Sequence, residues 1–362
     1  MRRAEARVDL AAVEANCARL LAAVADGTQL CVVVKAEAYG HGALACARAA
    51  QAAGATWLAV ATADEAAALR AGGIEGPLLV LGALTDEELE VAIAARADVG
   101  AWSPAFVAKV AGRARIHVKL DTGMGRLGTR DVAEADATVD AAGEALAGLW
   151  THFATADERG DAFFGEQLER FRAWALPHKA RRPELLLHAA NSAATLRDPA
   201  SHFDLVRCGI AVYGMDPFGA DPAAEGLRPA LELRSYVAEV KRCEPGQSAG
   251  YGRRFVATRP TWIATLPIGY GDGWRRALTN DADVIIRGRR HPSVGTVSMD
   301  NITVDLGPET DVRRGDPAVL VGEGILAEEV ARRMGTINYE VTTGLLARVP
   351  RVHHRGGEAA GR

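Results

Sequence analysis

The chain has 362 residues, 49% hydrophobic and 24% charged, with a net charge of -4 and a pI near 6.2. Such a composition suits a soluble protein with one large domain and a smaller one, and supplies no cationic surface to recruit nucleic acid or an anionic membrane. Five scattered cysteines, Cys17, Cys31, Cys46, Cys208 and Cys243, together with the lack of an apolar leader or any membrane-length apolar run, point to reduced thiols in the cytoplasm.

Over roughly the first 210 residues, short β-rich runs alternate with alanine-rich helical patterns. The spacing predicts strands over 30–36, 56–62, 77–82, 97–102, 115–121, 149–154, 184–190 and 205–209. Glycines close several of the helical stretches between them. Eight βα units are the number that closes a TIM barrel, although periodicity alone leaves a doubly wound open sheet as the alternative. A linker, "DPFGADPAAEGLRP" (216–229), follows, and beyond it strand-like runs are separated mainly by turns. The expected architecture is thus α/β: an N-terminal (β/α)8 barrel over 1–228, a mostly-β domain over 229–352 and a flexible tail over 353–362.

In a barrel of this kind, chemistry collects at the C-terminal ends of the strands. Lys35 falls there in "VVVKAEAYGHG", after three valines that read as a buried strand. A lysine so placed either snorkels to solvent or serves as a desolvated amine able to condense with an aldehyde cofactor. Lys119, Asp121, His152, His188, Asn191 and Arg207 fall at the same rim. "ANSAAT" and "RCGIAVYG" offer the Ser192 hydroxyl and backbone N–H groups where barrels bind phosphate. "DTGMGRLG" (121–128) satisfies a GxGxxG dinucleotide pattern, but it follows a fifth strand rather than opening a first βαβ unit, which weakens an NAD-dependent dehydrogenase reading. No clustered metal-ligand spacing and no nucleophile elbow occurs, so no metal is expected.

In order along residues 5–352, "VVVKAEAYGHG", "VKLDTGMGRLG", "WTHFATADE", "HAANSAAT", "VRCGIAVYG", "AGYGRRF", "PIGYGDGW", "GTVSMDNITVDL", "INYE" and "RVPR" resemble the alanine racemase family of barrel-type pyridoxal-phosphate enzymes. The resemblance implies that Lys35 carries pyridoxal 5'-phosphate as a Schiff base and is one of two catalytic bases. Tyr251, reaching the partner subunit of a homodimer, would be the other. It implies phosphate contacts from Tyr39, Ser192, Gly209, Ile210 and Tyr339, with Asn191 beside them. Arg207 would face the pyridine nitrogen, with His152 against the ring. Arg126, with Met299 of the other subunit, would meet the substrate carboxylate. Lys119 matches a position often carbamylated in the family. Asp157, Tyr270, Arg276 and Tyr339 match an access channel.

Racemisation needs a base on each face of a planar carbanion, and Lys35 with Tyr251 can supply both. Tyrosine and lysine titrate near ~10 and ~10.4, so each needs tuning toward neutral pH. An arginine at the pyridine nitrogen keeps its own proton, which leaves the carbanion less delocalised and favours reprotonation at Cα over transamination. Alanine is the expected substrate and D-alanine for peptidoglycan the expected product. Serine or another small amino acid, and a decarboxylase of the same architecture, are the alternatives. Glu37 departs from the family pattern, and strand alternation would set it on the side of Lys35.

Overall fold

The structure, a computed structural model, describes residues 2–359. Strand β1 (Ala4–Asp9) runs into the helix Leu10–Leu21. Eight parallel strands follow: β2 (Gln29–Val33), β3 (Trp57–Val60), β4 (Leu78–Val80), β5 (Asp98–Ala101), β6 (Ile116–Lys119), β7 (Leu146–Trp150), β8 (Leu186–His188) and β9 (Leu205–Cys208). Their order is β8-β7-β6-β5-β4-β3-β2-β9. The two ends meet, because Asp204 N–H donates to the Leu187 carbonyl at 3.0 Å and Arg207 N–H to that of Ala190 at 2.8 Å. The sheet therefore closes as the expected barrel rather than lying open. Every residue of β3 to β7 is buried, as strands covered on both faces require.

Several helices between these strands begin on caps written into the sequence. Thr62 and Glu65 form a reciprocal capping box, as do Thr85 and Glu88. Ser103 caps the helix Pro104–Val110.

The second compact unit contains the chain up to Ala12, a short piece at Gly219–Ala224, and everything from Arg228 onward. Its main sheet includes β10 (Leu231–Tyr236), β11 (Glu239–Cys243), β14 (Thr261–Leu266), β15 (Ala282–Ile286), β16 (Arg289–Val294), β17 (Ile302–Gly307), β18 (Pro317–Val321), β19 (Arg351–Arg355) and β20 (Glu358–Ala359). A separate ribbon pairs β12 (Ser248–Ala249) with β13 (Phe255–Val256).

Two expected boundaries change. Strand β1 belongs to this second sheet, antiparallel to β10 and parallel to β19, so the barrel unit begins at Val13 rather than at residue 1. Its alternating burial explains the membership: Ala4, Ala6 and Val8 face the core and Glu5, Arg7 and Asp9 do not, the pattern of a sheet with one packed face. In the expected tail, β19 and β20 form a hairpin that continues the sheet through residue 359. The rest of that tail, 360–362, lies outside the described residues.

Candidate active site

Strand β2 stops at Val33, earlier than the valine run suggests, and Lys35 begins a tight turn. Ala36, Glu37, Ala38 and Tyr39 all have left-handed backbones, with φ of 49°, 55°, 52° and 56°. Each such non-glycine residue costs roughly 1–2 kcal/mol, so four in succession persist only because the surroundings hold them. Ala38 N–H donates to the Val34 carbonyl at 2.9 Å and Gly42 N–H to that of Glu37 at 2.8 Å. Glu65 fixes the start of the turn: its Oε1 accepts from Ala36 N–H at 2.6 Å, while its Oε2 accepts from Ala61 and Thr62 N–H at 2.8 and 3.2 Å. The end of β2 is thereby tied to the end of β3.

This turn overrides the alternation expected for Glu37. The Glu37 carboxylate instead accepts from Ala43 N–H at 3.1 Å, at the start of the helix Ala43–Ala52. Glu65 is the carboxylate whose charge opposes the lowering of the Lys35 pKa. Burial and the positive charge of Arg126 nonetheless hold that amine below its ordinary value.

Around the rim lies a cluster of buried cations. Lys119, at the end of β6, is 2% exposed, and its Nζ sits 4.4 Å from the centre of the Trp150 ring. Burial and the charges of Arg207 and Arg126, against the opposing Asp121, push its pKa down to about 7. Arg207, on β9, is also buried, and burial lowers it to about 10, so it stays charged at neutral pH. Its Nη2 donates to the carbonyls of Thr151 and Ala189 at 2.8 and 3.1 Å, and its Nη1 reaches His188 Nδ1 at 3.0 Å. His152 Nδ1 lies 3.3 Å from Nη2. Burial, followed by the charges of Arg207, Lys119, Arg126 and Lys35, holds His152 well below the usual histidine range, as a neutral ring.

A small polar cradle stands beside this cluster. Ser192 Oγ accepts from Gly209 N–H at 3.0 Å and Ala211 N–H at 3.4 Å. Ile210 starts the turn Ile210–Tyr213 that follows β9. A methyl group added at Gly209 would lie 2.3 Å from the Tyr39 hydroxyl, so glycine allows that close approach. Asn191 caps the short helix after β8, its Oδ1 accepting from Ala194 N–H at 2.9 Å. Serine hydroxyl, tyrosine hydroxyl and successive backbone amides are the donor set a phosphate monoester needs.

The GxGxxG match resolves into a local anchor. Asp121 accepts from the N–H groups of Gly123 and Gly125 and from Arg130 Nε, all at 3.0–3.1 Å. Burial favours the neutral Asp121 carboxyl, but these bonds outweigh it and hold the pKa low. The glycine amides point to this carboxylate, and the loop carries Arg126, which is exposed. Asp157 is likewise exposed, on the loop after β7.

The remaining candidates belong to the β-rich unit. Tyr251 occupies the turn between β12 and β13, flanked by Gly250 and Gly252 at φ of 75° and 67°, and is 73% exposed. Its carbonyl accepts from the Thr296 hydroxyl at 2.7 Å. Met299 is 52% exposed. Gly271 N–H donates to the Met299 carbonyl at 2.9 Å and Tyr270 N–H to that of Ser298 at 3.0 Å, which binds these two loops together. Beneath them Asp272 is wholly buried and accepts from Arg3 Nη1 at 2.5 Å, Arg348 Nε at 2.7 Å and Gly269 N–H at 2.8 Å. It is the brace of this loop pair. Arg276 is exposed and Tyr339 half-buried in the helix Asn338–Thr343.

Sequence reasoning missed Glu65, although its T-x-x-E capping box was legible, and also missed that His117 and Asp98 connect to His188 through the barrel interior.

The family described as "Alanine racemase, N-terminal domain" matches residues 8–217, and "Alanine racemase, C-terminal domain" matches residues 230–353. The chain belongs to the alanine racemase family. The alanine racemase of Thermobifida fusca is 44% identical, covering 97% of this chain and 98% of its own length. That of Frankia casuarinae is 43% identical, covering 95% and 94%. Among solved structures, the alanine racemase of D-cycloserine-producing Streptomyces lavendulae superposes with a TM-score of 0.91 at 40% identity, covering 98% of each chain. The Bacillus anthracis alanine racemase, solved with bound L-Ala-P, gives 0.91 at 36%, covering 100% of this chain and 97% of its own. A closed barrel followed by a β-rich unit is the architecture shared with these alanine racemases. The NAD-dependent dehydrogenase and decarboxylase alternatives find no support among them.

Proposed function

We propose that the protein is a pyridoxal-phosphate-dependent isomerase that interconverts L-alanine and D-alanine. The observation that carries this reading is the desolvated Lys35 amine beside a phosphate-type cradle and a buried, charged Arg207, all at the C-terminal rim of one barrel. Tyr39, Ser192, Gly209 and Ile210, with Tyr339, would hold the phosphate, and Asn191 would support the Ser192 turn. Arg207 would face the pyridine nitrogen and His152 the ring. Bound pyridoxal phosphate would supply the electron sink that acidifies the Cα–H of the amino acid.

Lys35 Nζ moves the Cα proton on one face. The Tyr251 hydroxyl of the partner subunit moves it on the other, which makes a homodimer necessary for activity. The exposure of Tyr251 and Met299 in the single chain supports their completing another subunit's site. Arg126 binds the substrate carboxylate with Met299 of the partner subunit. A carbamate on Lys119 would turn a buried amine among arginines into their counter-anion, in keeping with its low pKa. By the family resemblance, Asp157, Tyr270, Arg276 and Tyr339 would line the access route. No helix among the described residues is long and apolar enough to cross a membrane. A cytoplasmic enzyme supplying D-alanine for peptidoglycan fits this reading.

Incubating the purified protein with L-alanine and measuring optical rotation, with D-alanine followed by D-amino-acid oxidase, tests the reaction. Decay of rotation toward zero is expected. Unchanged rotation with alanine would overturn the assignment.

A further inference from the structure

Arg207 does not stand alone in the barrel. His188 Nε2 lies 2.8 Å from His117 Nδ1, and His117 Nε2 lies 3.1 Å from Asp98 Oδ2. These residues come from β9, β8, β6 and β5, and His117 and His188 have no solvent exposure. Gly148 makes the room: a methyl group there would fall 2.5 Å from His117 Nδ1. Trp150 stacks on His188 with ring centres 5.7 Å apart, and Trp57 meets His117 edge-on at 5.5 Å.

The donors fix the direction of this chain. The Arg207 guanidinium can only donate, so His188 Nδ1 accepts and its Nε2 carries the proton. His117 Nδ1 must then accept from His188, which leaves its own Nε2–H to donate to Asp98. Only one tautomer at each histidine satisfies every member, and the Asp98 acceptor at the far end favours the same direction as the Arg207 donor. Burial, then the charges of Arg207 and His117, keep His188 well below the usual histidine range, in keeping with a neutral acceptor.

We propose that Asp98 and His117 are positioning residues which, by locking His188 in its Nδ1-acceptor tautomer, hold the Arg207 guanidinium in the orientation used at the cofactor's pyridine nitrogen. The reverse tautomer at His188 would set an N–H against an N–H of Arg207 in a dry interior and turn the guanidinium away. The inference rests on the proposed cofactor role of Arg207, but the hydrogen-bond chain exists without it.

Long-range proton–nitrogen correlation spectra of histidine-labelled protein read the tautomers directly. Both His117 and His188 are expected to show an unprotonated Nδ1 and a protonated Nε2. Asp98→Asn retains a carbonyl acceptor and should keep both tautomers, with kcat within about twofold of the parent protein. Asp98→Leu removes the acceptor and should mix the tautomers at both histidines, lower kcat about tenfold with little change in KM, and raise the share of transamination. His117→Phe, which frees His188 Nε2, should mix the His188 tautomer and stands in if Asp98→Leu does not fold. Unchanged His188 tautomers in Asp98→Leu or His117→Phe would overturn the proposal, as would Asp98→Asn behaving like Asp98→Leu. A protein that binds no cofactor would sink the functional reading while leaving the tautomer result to judge the relay.

Discussion

In the barrel unit, Lys119, Arg207 and His188 are almost fully buried, and each has charged or polar partners within the same unit. In the β-rich unit the candidate groups face outward: Tyr251 is 73% exposed, Met299 52% and Tyr270 39%. The contrast teaches that the two units contribute by different physics. The barrel shifts protonation equilibria by desolvation and crowded cations, so its groups are tuned within one chain. The β-rich unit fixes loop geometry, through Asp272 and its two arginines, and presents side chains whose environment is set by what covers them.

The sharpest way to break that contrast is to remove the tuned amine. Lys35→Ala should reduce racemisation by roughly a thousandfold or more, because the proposed cofactor anchor and one of the two proposed bases would both be lost. Its visible absorbance should change with it. Tyr251→Phe should reduce racemisation by roughly a hundredfold, while exchange of the Cα proton with deuterated solvent survives from one enantiomer only, the one whose face Lys35 serves. Equal exchange from both enantiomers would show that the exposed tyrosine is no base.

A smaller effect distinguishes tuning from stability. Lys119 titrates at 10.5 in the unfolded chain and at about 7 when folded. Between those values only the unfolded chain binds the proton, so folding stability falls as pH drops from about 10 to about 7 and stays reduced below. In carbon-dioxide-free buffer, Lys119→Met should therefore be the more stable protein at neutral pH, with the advantage fading toward pH 10, although its activity is about tenfold lower. Denaturant melts across that range check the sign. The smallest change concerns the turn after Lys35: Ala36→Val, at an exposed left-handed residue, should destabilise by about 1–2 kcal/mol in the same melts, and Ala36→Gly should not.

The barrel was legible because its strands are short apolar runs between alanine-rich helices, a pattern that local periodicity carries. Membership of β1 in the distant sheet was not, since the pairing of Ala6 with Leu233 and Arg351 is set by long-range register. Lys35, Arg207 and Ser192 could be placed near one another because they lie at or just beyond strand ends, where a barrel gathers chemistry. Glu37 was misread because alternation assumes an extended backbone, and no local signal announced four left-handed residues. The Asp98–His117–His188 chain was hidden for a related reason: it joins three strands through the barrel interior, and spacing along the sequence says nothing about which inward side chains meet.

Two lysines in the barrel unit have lowered pKa values, and the Lys119 amine is down to about 7. Only Lys35 would carry the cofactor. Borohydride reduction of the coloured protein followed by peptide mapping decides it: the reduced pyridoxyl group is predicted on Lys35, in the peptide containing "VVVKAEAYGHG", with Lys119 unlabelled. Label on Lys119, or on neither lysine, would contradict the account.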